Sequence, residues 1–506
     1  MTDSAIVETD SGPVRGTVTD VYSLFQGIPY AASTAGAPRW RSPRPVRPWT
    51  EPRDATKPGS MCPQQPSSYA DVASLDEDCL CLNVTTPRLA GPERLRPVMV
   101  WIHGDGAIGA GSFFDARRLA TIGDVVVVTI NYRLGVFGAF GHPGLEGSGT
   151  FGLQDQQAAL RWVQRNAAAF GGDPRNVTVF GESYGGLSTS AHLVAPGSAG
   201  LFHRAIVQSG FALMDLPAGG MFPGLPALSW YGWRSTAEVE ALGAAVASQL
   251  GCADPATVLA CLRRVPVQEL FAHAQVFQPY AFGNRVLPEV PAQALRAGRF
   301  HRVPVLSGGT RDEHRLFVGL FRVLAGRPVT AEQYPRLLAE AFGEHAGQVQ
   351  ARYPLSAYPS PNLAWATVLT DRMWARSTFQ QHRLLSEQVQ TYAYEFADRQ
   401  APMYLPFPED FPPGAFHAAE VPYLFRDQQF EAGSTSDQRR LSDQMIRYWA
   451  RFAQTGDPNG AGLPPWPSFD HAQSVPYVQS LAPGTDGIEP VDYAAEHKLD
   501  FWSSLP

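Results

Sequence analysis

Lysine is almost missing from this chain of 506 residues: it occurs only at Lys57 and Lys498, so nearly all of the 40 basic residues are arginine. A GC-rich genome accounts for that bias, and no basic character comes with it. With a net charge of -7 and a pI near 6.0, the chain lacks the footprint that a nucleic-acid partner requires. Long apolar runs are missing too. None reaches the ~18 residues needed to span a bilayer, and Met1 to Gly16 has no apolar core of a signal peptide. Together these set the expectation of a cytoplasmic protein with no membrane partner. Cysteine is scarce and odd in number, at five, and a cytosolic enzyme keeps such thiols reduced. Repeats and low-complexity tracts are absent. The 44 prolines and 47 glycines are dispersed, as in ordered turns, and nothing reads as a linker, so residues 1–506 are expected to form one domain.

What the chain has in quantity is apolar residues, 44% of the total, arranged as strand-like runs separated by helix-length segments. Pro97 to Ile102, Val125 to Ile130, Val177 to Phe180, Ala205 to Gln208, Val303 to Leu306 and Gln390 to Phe396 are the runs. Val125 to Ile130 is a continuous β-branched stretch suited to a strand buried on both faces. Between them, Leu153 to Phe170 places Leu160, Val163 and Ala167 on one helical face, and Gly171-Gly172-Asp173-Pro174 ends it. This alternation predicts an α/β architecture, a large and mostly parallel central sheet flanked by helices. The first residues differ. Ile6 to Thr9 and Val14 to Val18, joined by Asp10-Ser11-Gly12-Pro13, predict an antiparallel edge hairpin over about 5–20. Residues 211–300 read as helical and irregular, with Glu238 to Leu250 the clearest helix, and are expected to roof a substrate gorge.

The stretch Gly181-Glu182-Ser183-Tyr184-Gly185-Gly186 follows a strand-like run and precedes a helix-compatible one. Strand, G-x-S-x-G, helix is the context of a nucleophile elbow, where a tight turn between small residues pushes the serine hydroxyl out of the sheet. A serine hydroxyl needs a general base, usually histidine, and an acid that holds the imidazole. The chain order for such an elbow is Ser, then Asp or Glu, then His. Asp312 and Glu313 both follow the Val303 run, and spacing does not choose between them. His417, in Gly414-Ala415-Phe416-His417, follows the last strong strand. His382, His471 and His497 also lie downstream, the first in a helical stretch and the others in polar terminal segments. Backbone N–H groups for a developing oxyanion are expected from Tyr184, the residue after the nucleophile, and from the loop His103-Gly104-Asp105-Gly106-Ala107 at the end of an early strand. There is no HExxH and no tight cluster of metal ligands, so neither metal nor organic cofactor is expected.

These motifs come with others: Phe25-Gln26-Gly27-Ile28-Pro29-Tyr30-Ala31, Glu77-Asp78-Cys79-Leu80-Cys81-Leu82-Asn83-Val84, Asn131-Tyr132-Arg133-Leu134-Gly135, Gly152-Leu153-Gln154-Asp155-Gln156, Phe170-Gly171-Gly172-Asp173-Pro174 and Phe416-His417-Ala418-Ala419-Glu420-Val421-Pro422-Tyr423. Over nearly its whole length the chain resembles the type B carboxylesterases, the group within the α/β-hydrolase fold that includes para-nitrobenzyl esterases and cholinesterases. The resemblance implies Glu313 as the acid and His417 as the base. It puts the oxyanion donors in the Gly104, Asp105, Gly106 loop and at Tyr184, and implies an ion pair between Arg39 and Glu77. It also matches Cys62 with Cys79, and Cys252 with Cys261, to disulfides of secreted relatives. The implied activity is hydrolysis of carboxylic esters of small molecules by a monomer, through an acyl-enzyme. Aryl carbamates or phthalate-type aromatic diesters are the alternative substrates for the same machinery. Some relatives are non-catalytic binding proteins with a degraded triad, but the serine, glutamate and histidine are all present here.

Three departures stand out. Asp105 takes a glycine place and Ala107 an aromatic one in a loop about one residue short, and the expectation is that Asp105 turns away and hydrogen-bonds a neighbouring loop. Tyr184 replaces the usual alanine. The Cys62 to Cys79 segment holds no tryptophan and only Tyr69 as an aromatic ring, which argues against a choline-selective enzyme. Asn83-Val84-Thr85 and Asn176-Val177-Thr178 match glycosylation sequons but fall in strand-like runs, and are read as structural.

Overall fold

The computed structural model describes residues 3–67, 71–88 and 94–505, so Tyr69 lies outside the described residues. The strands in chain order are β1 (Asp3–Thr9), β2 (Gly12–Val18), β3 (Tyr22–Pro29), β4 (Arg53–Asp54), β5 (Cys81–Pro87), β6 (Arg96–Ile102), β7 (Val126–Ile130), β8 (Gly172–Glu182), β9 (Arg204–Gln208), β10 (Trp233–Ser235), β11 (Tyr280–Phe282), β12 (Val305–Thr310), β13 (Thr391–Phe396) and β14 (Gln479–Leu481). One sheet runs β1-β2-β3-β5-β7-β6-β8-β9-β12-β13-β14, with β4 paired to β2, while β10 and β11 form a small parallel pair of their own. The pairs from β1 to β7 along this path are antiparallel. From β7 through β6 to β14 they are parallel.

Why the parallel strands read as unbroken apolar runs is visible in β6. Val98, Val100 and Ile102 enter one hydrophobic core, while Met99 and Trp101 enter another on the opposite face. In β7, Val126, Val128 and Ile130 go with the first core and Val127 with the second. Both faces are covered, so alternation has no polar partner to show itself in. The helix Phe151–Asn166 continues as a 3-10 turn, Ala167–Phe170, and ends at Gly171 in the left-handed region, φ 79°. The expected strand at Val303 instead begins at Val305, after Pro304, and extends to Thr310. Gly308 is required there, because a Cβ would come 2.3 Å from the Tyr394 carbonyl oxygen in β13. In the 211–300 segment the helix Thr236–Gln249 starts on a reciprocal capping box between Ser235 and Glu238.

Several buried polar contacts lock distant segments together. Arg39 forks onto Glu77 at 2.7 and 2.6 Å and donates to the Val265 carbonyl at 2.6 Å. Arg133 forks onto Asp155 at 2.7 Å through each of two nitrogens. Cys62 is joined to Cys79 and Cys252 to Cys261, with Cα atoms 4.9 and 5.5 Å apart, and Cys81 is a buried free thiol. Asn83 is buried with its amide bonded to Gly27 and Thr129, so its sequon offers no accessible acceptor.

His497 corrects its reading as a polar-segment residue. It is buried, with Nδ1 2.7 Å from Asp371 Oδ1 and Nε2 2.6 Å from Glu395 Oε1. Burial alone would lower its pKa, but the two carboxylates outweigh that and push it up to about 10. A group raised in the folded state stabilises the fold fully below its unfolded pKa of about 6.5. That stabilisation is lost as pH rises through about 10. The thermal midpoint of the protein should therefore exceed that of His497→Gln most at acidic pH, with the gap closing above pH 10. A gap that widens with pH contradicts this assignment.

Candidate active site

The elbow is built by close approach. Ser183 sits at φ 59°, ψ -119°, between the end of β8 and the helix Tyr184–Val194. A Cβ on Gly185 would stand 1.9 Å from the Ile102 carbonyl oxygen at the end of β6, and one on Gly181 would stand 2.6 Å from it. On Gly186 it would meet the Gln208 carbonyl of β9 at 2.6 Å. The three glycines let the turn sink between the ends of neighbouring parallel strands. The serine is left as the residue that projects beyond the carboxyl ends of the strands, where open α/β sheets bind ligands.

Ser183 Oγ lies 2.8 Å from His417 Nε2, and His417 Nδ1 lies 2.5 Å from Glu313 Oε2. Glu313 follows β12, and its other oxygen accepts the Thr310 N–H at 2.9 Å, which holds the carboxylate against the strand end. The adjacent Asp312, equally eligible by spacing, has a different role. It accepts the Ala415 N–H at 3.0 Å, its own N–H donates to the Ala415 carbonyl at 2.9 Å, and Arg315 and Arg399 pair with it at 2.8 and 2.9 Å. Asp312 thus staples down the loop that carries His417. The other three candidate histidines are elsewhere: His382 is buried against Phe469, His471 lies in the C-terminal segment, and His497 is committed to its clamp.

Two further carboxylates crowd the imidazole. Glu182 Oε1 is 3.2 Å from His417 Nε2, and Glu420 is buried with Gln208 donating to it at 3.3 Å. Burial would lower the His417 pKa, but Glu182, Glu313 and Glu420 outweigh it and raise it above the ordinary value. Glu182 and Glu420 are themselves held above the usual carboxylate range, by burial first and by their acidic neighbours in addition. Both glutamates were present in the quoted motifs without a role. Nothing in their spacing says that they meet, because Glu182 ends a strand and Glu420 lies 238 positions later. Phe317 and Trp374, also unassigned by sequence, pack against His417 at tilts of 47° and 48°, with ring centroids at 5.0 and 4.7 Å.

The glycine loop behaves differently from expectation. Asp105 does turn, at φ 69°, but its Oδ1 accepts the N–H groups of Ala107 and Ile108 at 2.8 and 2.9 Å, inside its own loop rather than across to a neighbour. A short side chain that bonds two residues ahead tolerates this left-handed backbone, which is why Asp stands where glycine is usual. The Gly106 N–H donates to the Gly104 carbonyl at 3.0 Å within the turn. Gly104 lies against Ser183, its hypothetical Cβ 3.2 Å from the Ser183 Cβ. Tyr184 packs flat over Gly106, where a Cβ would come 2.8 Å from the ring, and its hydroxyl donates to the Gln278 carbonyl at 2.7 Å. Gln278 in turn donates to the Asp105 carbonyl at 3.4 Å. Tyr184 therefore ties elbow, glycine loop and the 211–300 segment together.

The electrostatics generate a direct expectation. Followed by NMR, the His417 imidazole should titrate above about 6.5, and Glu182→Gln should lower that midpoint by removing a negative neighbour. A midpoint below 6.5 in the unaltered protein would mean that burial outweighs the carboxylates.

The sequence profile described as the Carboxylesterase family matches residues 3–502. Cocaine esterase from Oryctolagus cuniculus is 35% identical, over 99% of this chain and 96% of its own length. Para-nitrobenzyl esterase from Bacillus subtilis (strain 168) is 34% identical over 92% of each chain. A solved thermophilic PNB esterase superposes with a TM-score of 0.79 at 30% identity, covering 98% of this chain and 99% of the other. The sheet is that of the α/β-hydrolase fold, and the chain belongs to the carboxylesterase family, as a hydrolase of carboxylic esters.

Proposed function

We propose that Ser183 is the nucleophile, His417 the general base and Glu313 the acid that orients it. The single observation that carries this is the unbroken contact chain, Ser183 Oγ to His417 Nε2 at 2.8 Å and His417 Nδ1 to Glu313 at 2.5 Å. Ser183 Oγ attacks the ester carbonyl carbon as its proton passes to His417 Nε2. The carbon–oxygen bond to the alcohol then breaks, and the departing alkoxide takes that proton. Water attacks the resulting acyl-enzyme and gives His417 a proton, which returns to Ser183 as the carboxylic acid leaves. Glu313 stabilises the imidazolium in each half. The oxyanion is received by backbone N–H groups of the Gly104, Asp105, Gly106 loop and of Tyr184. Each such donor is worth ~3 kcal/mol in the transition state, so losing one slows turnover by about two orders of magnitude.

The substrate class is uncharged esters of small to medium alcohols. Phe317 and Trp374 against His417, with Phe211 5.9 Å from Trp374, form an aromatic wall that favours esters with a flat or bulky apolar part. The same wall is the reason to keep aryl carbamates and phthalate-type aromatic diesters as a second reading. We place the enzyme in the cytoplasm as a monomer. The two disulfides are in tension with that compartment, and thiol counting on protein taken directly from cells addresses it.

With 4-nitrophenyl acetate in rapid mixing, a burst of one nitrophenolate per chain should precede the steady state. Ser183→Ala should abolish both phases, and Glu313→Gln should lower kcat by about 10^3–10^4. Hydrolysis that survives Ser183→Ala would overturn the proposal. A panel of alkyl esters, aryl esters, carbamates and phthalate diesters, compared by kcat/KM, ranks the two substrate readings.

A further inference from the structure

The residue after Glu313 is a histidine that the sequence motifs leave without a role. His314 is buried and both of its ring nitrogens are engaged. Nε2 lies 3.0 Å from the Gly220 carbonyl oxygen in the 211–300 segment, and Nδ1 lies 3.1 Å from Trp374 Nε1. An indole nitrogen can only donate, so Nδ1 carries the lone pair and the ring proton sits on Nε2, where the carbonyl accepts it. Burial lowers the His314 pKa to about 3, against the Gly220 carbonyl, which favours the charged form. The imidazole is therefore neutral at neutral pH and held in one tautomer. Its backbone N–H is fixed as well, donating to Thr370 Oγ1 at 3.0 Å.

Trp374 is the ring that lies nearest to the His417 imidazole, 4.7 Å between centroids. Phe317 stacks on Trp374 at 5.7 Å and 10°, and Phe211 meets it edge on at 5.9 Å. Ring contacts of this kind fix the plane of the indole. They leave it free to slide and turn within that plane, because dispersion has little direction. A hydrogen bond supplies the missing constraint, since it weakens steeply away from linearity. His314 holds the single polar atom of the indole, and so decides which edge of the ring reaches His417. The backbone is adapted to the same end. The helix Pro361–Leu369 passes into Arg376–Ser386 through a π-helical turn, Thr370–Ala375, which carries Trp374. Such turns are rare and gather at functional sites. The roof is part of the contact too: a Cβ on Gly220 would come 3.2 Å from Met373 Sδ. An aliphatic residue at position 314 would fill the space without the cost of burying an imidazole, but would leave both the indole N–H and the Gly220 carbonyl unpaired.

We propose that His314 is a positioning residue for substrate selection: through Nδ1 it fixes the in-plane orientation of the Trp374 indole beside His417, and so sets the preference for esters that carry a flat ring. It touches neither the substrate nor the reacting atoms. Its Nε2 anchors it to Gly220, so the turn of Glu313, the aromatic wall and the roof segment share one registration point. The proposal rests on the esterase reading above and on the aromatic wall within it.

Two pairs of substrates test it by kcat/KM. The ratio of 4-nitrophenyl benzoate to 4-nitrophenyl acetate varies the acid part, and that of benzyl acetate to ethyl acetate varies the alcohol part. In His314→Leu at least one of these ratios should fall fivefold or more. In a Trp374→Phe background, where the ring has no N–H to hold, the same substitution should move that ratio less than twofold. Unchanged ratios in His314→Leu overturn the proposal. So does an equal fall in both backgrounds, which would place the effect on the neighbouring Glu313. A measurement on the unaltered protein stands even where His314→Leu does not fold. The imidazole nitrogens of His314, followed by 15N NMR, should report a neutral ring protonated on Nε2 from about pH 5 to about pH 9, and Trp374→Phe should shift the Nδ1 resonance. A proton on Nδ1, a ring that titrates in that range, or an Nδ1 resonance indifferent to Trp374→Phe overturns the proposal. Failure of the unaltered enzyme to hydrolyse any of the four esters would strike the esterase reading instead, so the two failures are told apart.

Discussion

The near-contact of the elbow backbone with the end of β6 is the constraint on which the site depends. Gly185 approaches so closely that any side chain would collide with the Ile102 carbonyl oxygen, 1.9 Å from the position of a Cβ. Because the turn sinks that far, Ser183 is forced to φ 59°, a region costing on the order of 1–3 kcal/mol for a residue with a side chain. Asp105 and Ala418, also at positive φ, flank the same centre. Strain at these positions is tolerated because the ladders of β6, β8, β9 and β12 over-determine the surrounding backbone. The same geometry puts Ser183 at the N-cap of the helix Tyr184–Val194, so that the serine and the first turn of the helix are held together. An untethered helix end would have to order these groups at each turnover.

Charge is the second organising element. Three buried carboxylates converge on one imidazole, an arrangement whose cost in desolvation is offset only if the group between them carries or acquires a positive charge. The proposed cycle, in which His417 becomes an imidazolium twice, is a process such a field assists. Elsewhere the protein uses the same device for structure alone: His497 between Asp371 and Glu395 holds the C-terminal helices against β13. The two imidazoles differ in access. His417 faces a serine hydroxyl on one nitrogen, while both nitrogens of His497 are taken.

Much of this was legible in the residues, and the limits are instructive. The parallel strands announced themselves because burial on both faces leaves continuous β-branched runs, as in Val125 to Ile130. The elbow was legible because its glycines have no substitute. The division of labour between Asp312 and Glu313 was not, since adjacent carboxylates look alike until one is seen to bind the Ala415 amide and the other the imidazole. The convergence of Glu182, Glu420, Phe317 and Trp374 on His417 depends on chain segments far apart in sequence, where no local spacing carries a signal. Short β10, β11 and β14 were missed because three-residue strands carry too little pattern.

The most direct measurement of the central claim is to trap the acyl-enzyme. The protein is mixed with excess 4-nitrophenyl acetate, quenched in acid within the burst, digested and mapped by mass spectrometry. If the elbow makes Ser183 reactive, one acetyl group per chain resides on the peptide containing Ser183, and none appears there in a folded Gly185→Ala protein whose turn cannot close against Ile102. Acetylation of another residue at comparable yield, or undiminished labelling of Ser183 in Gly185→Ala, would contradict the account.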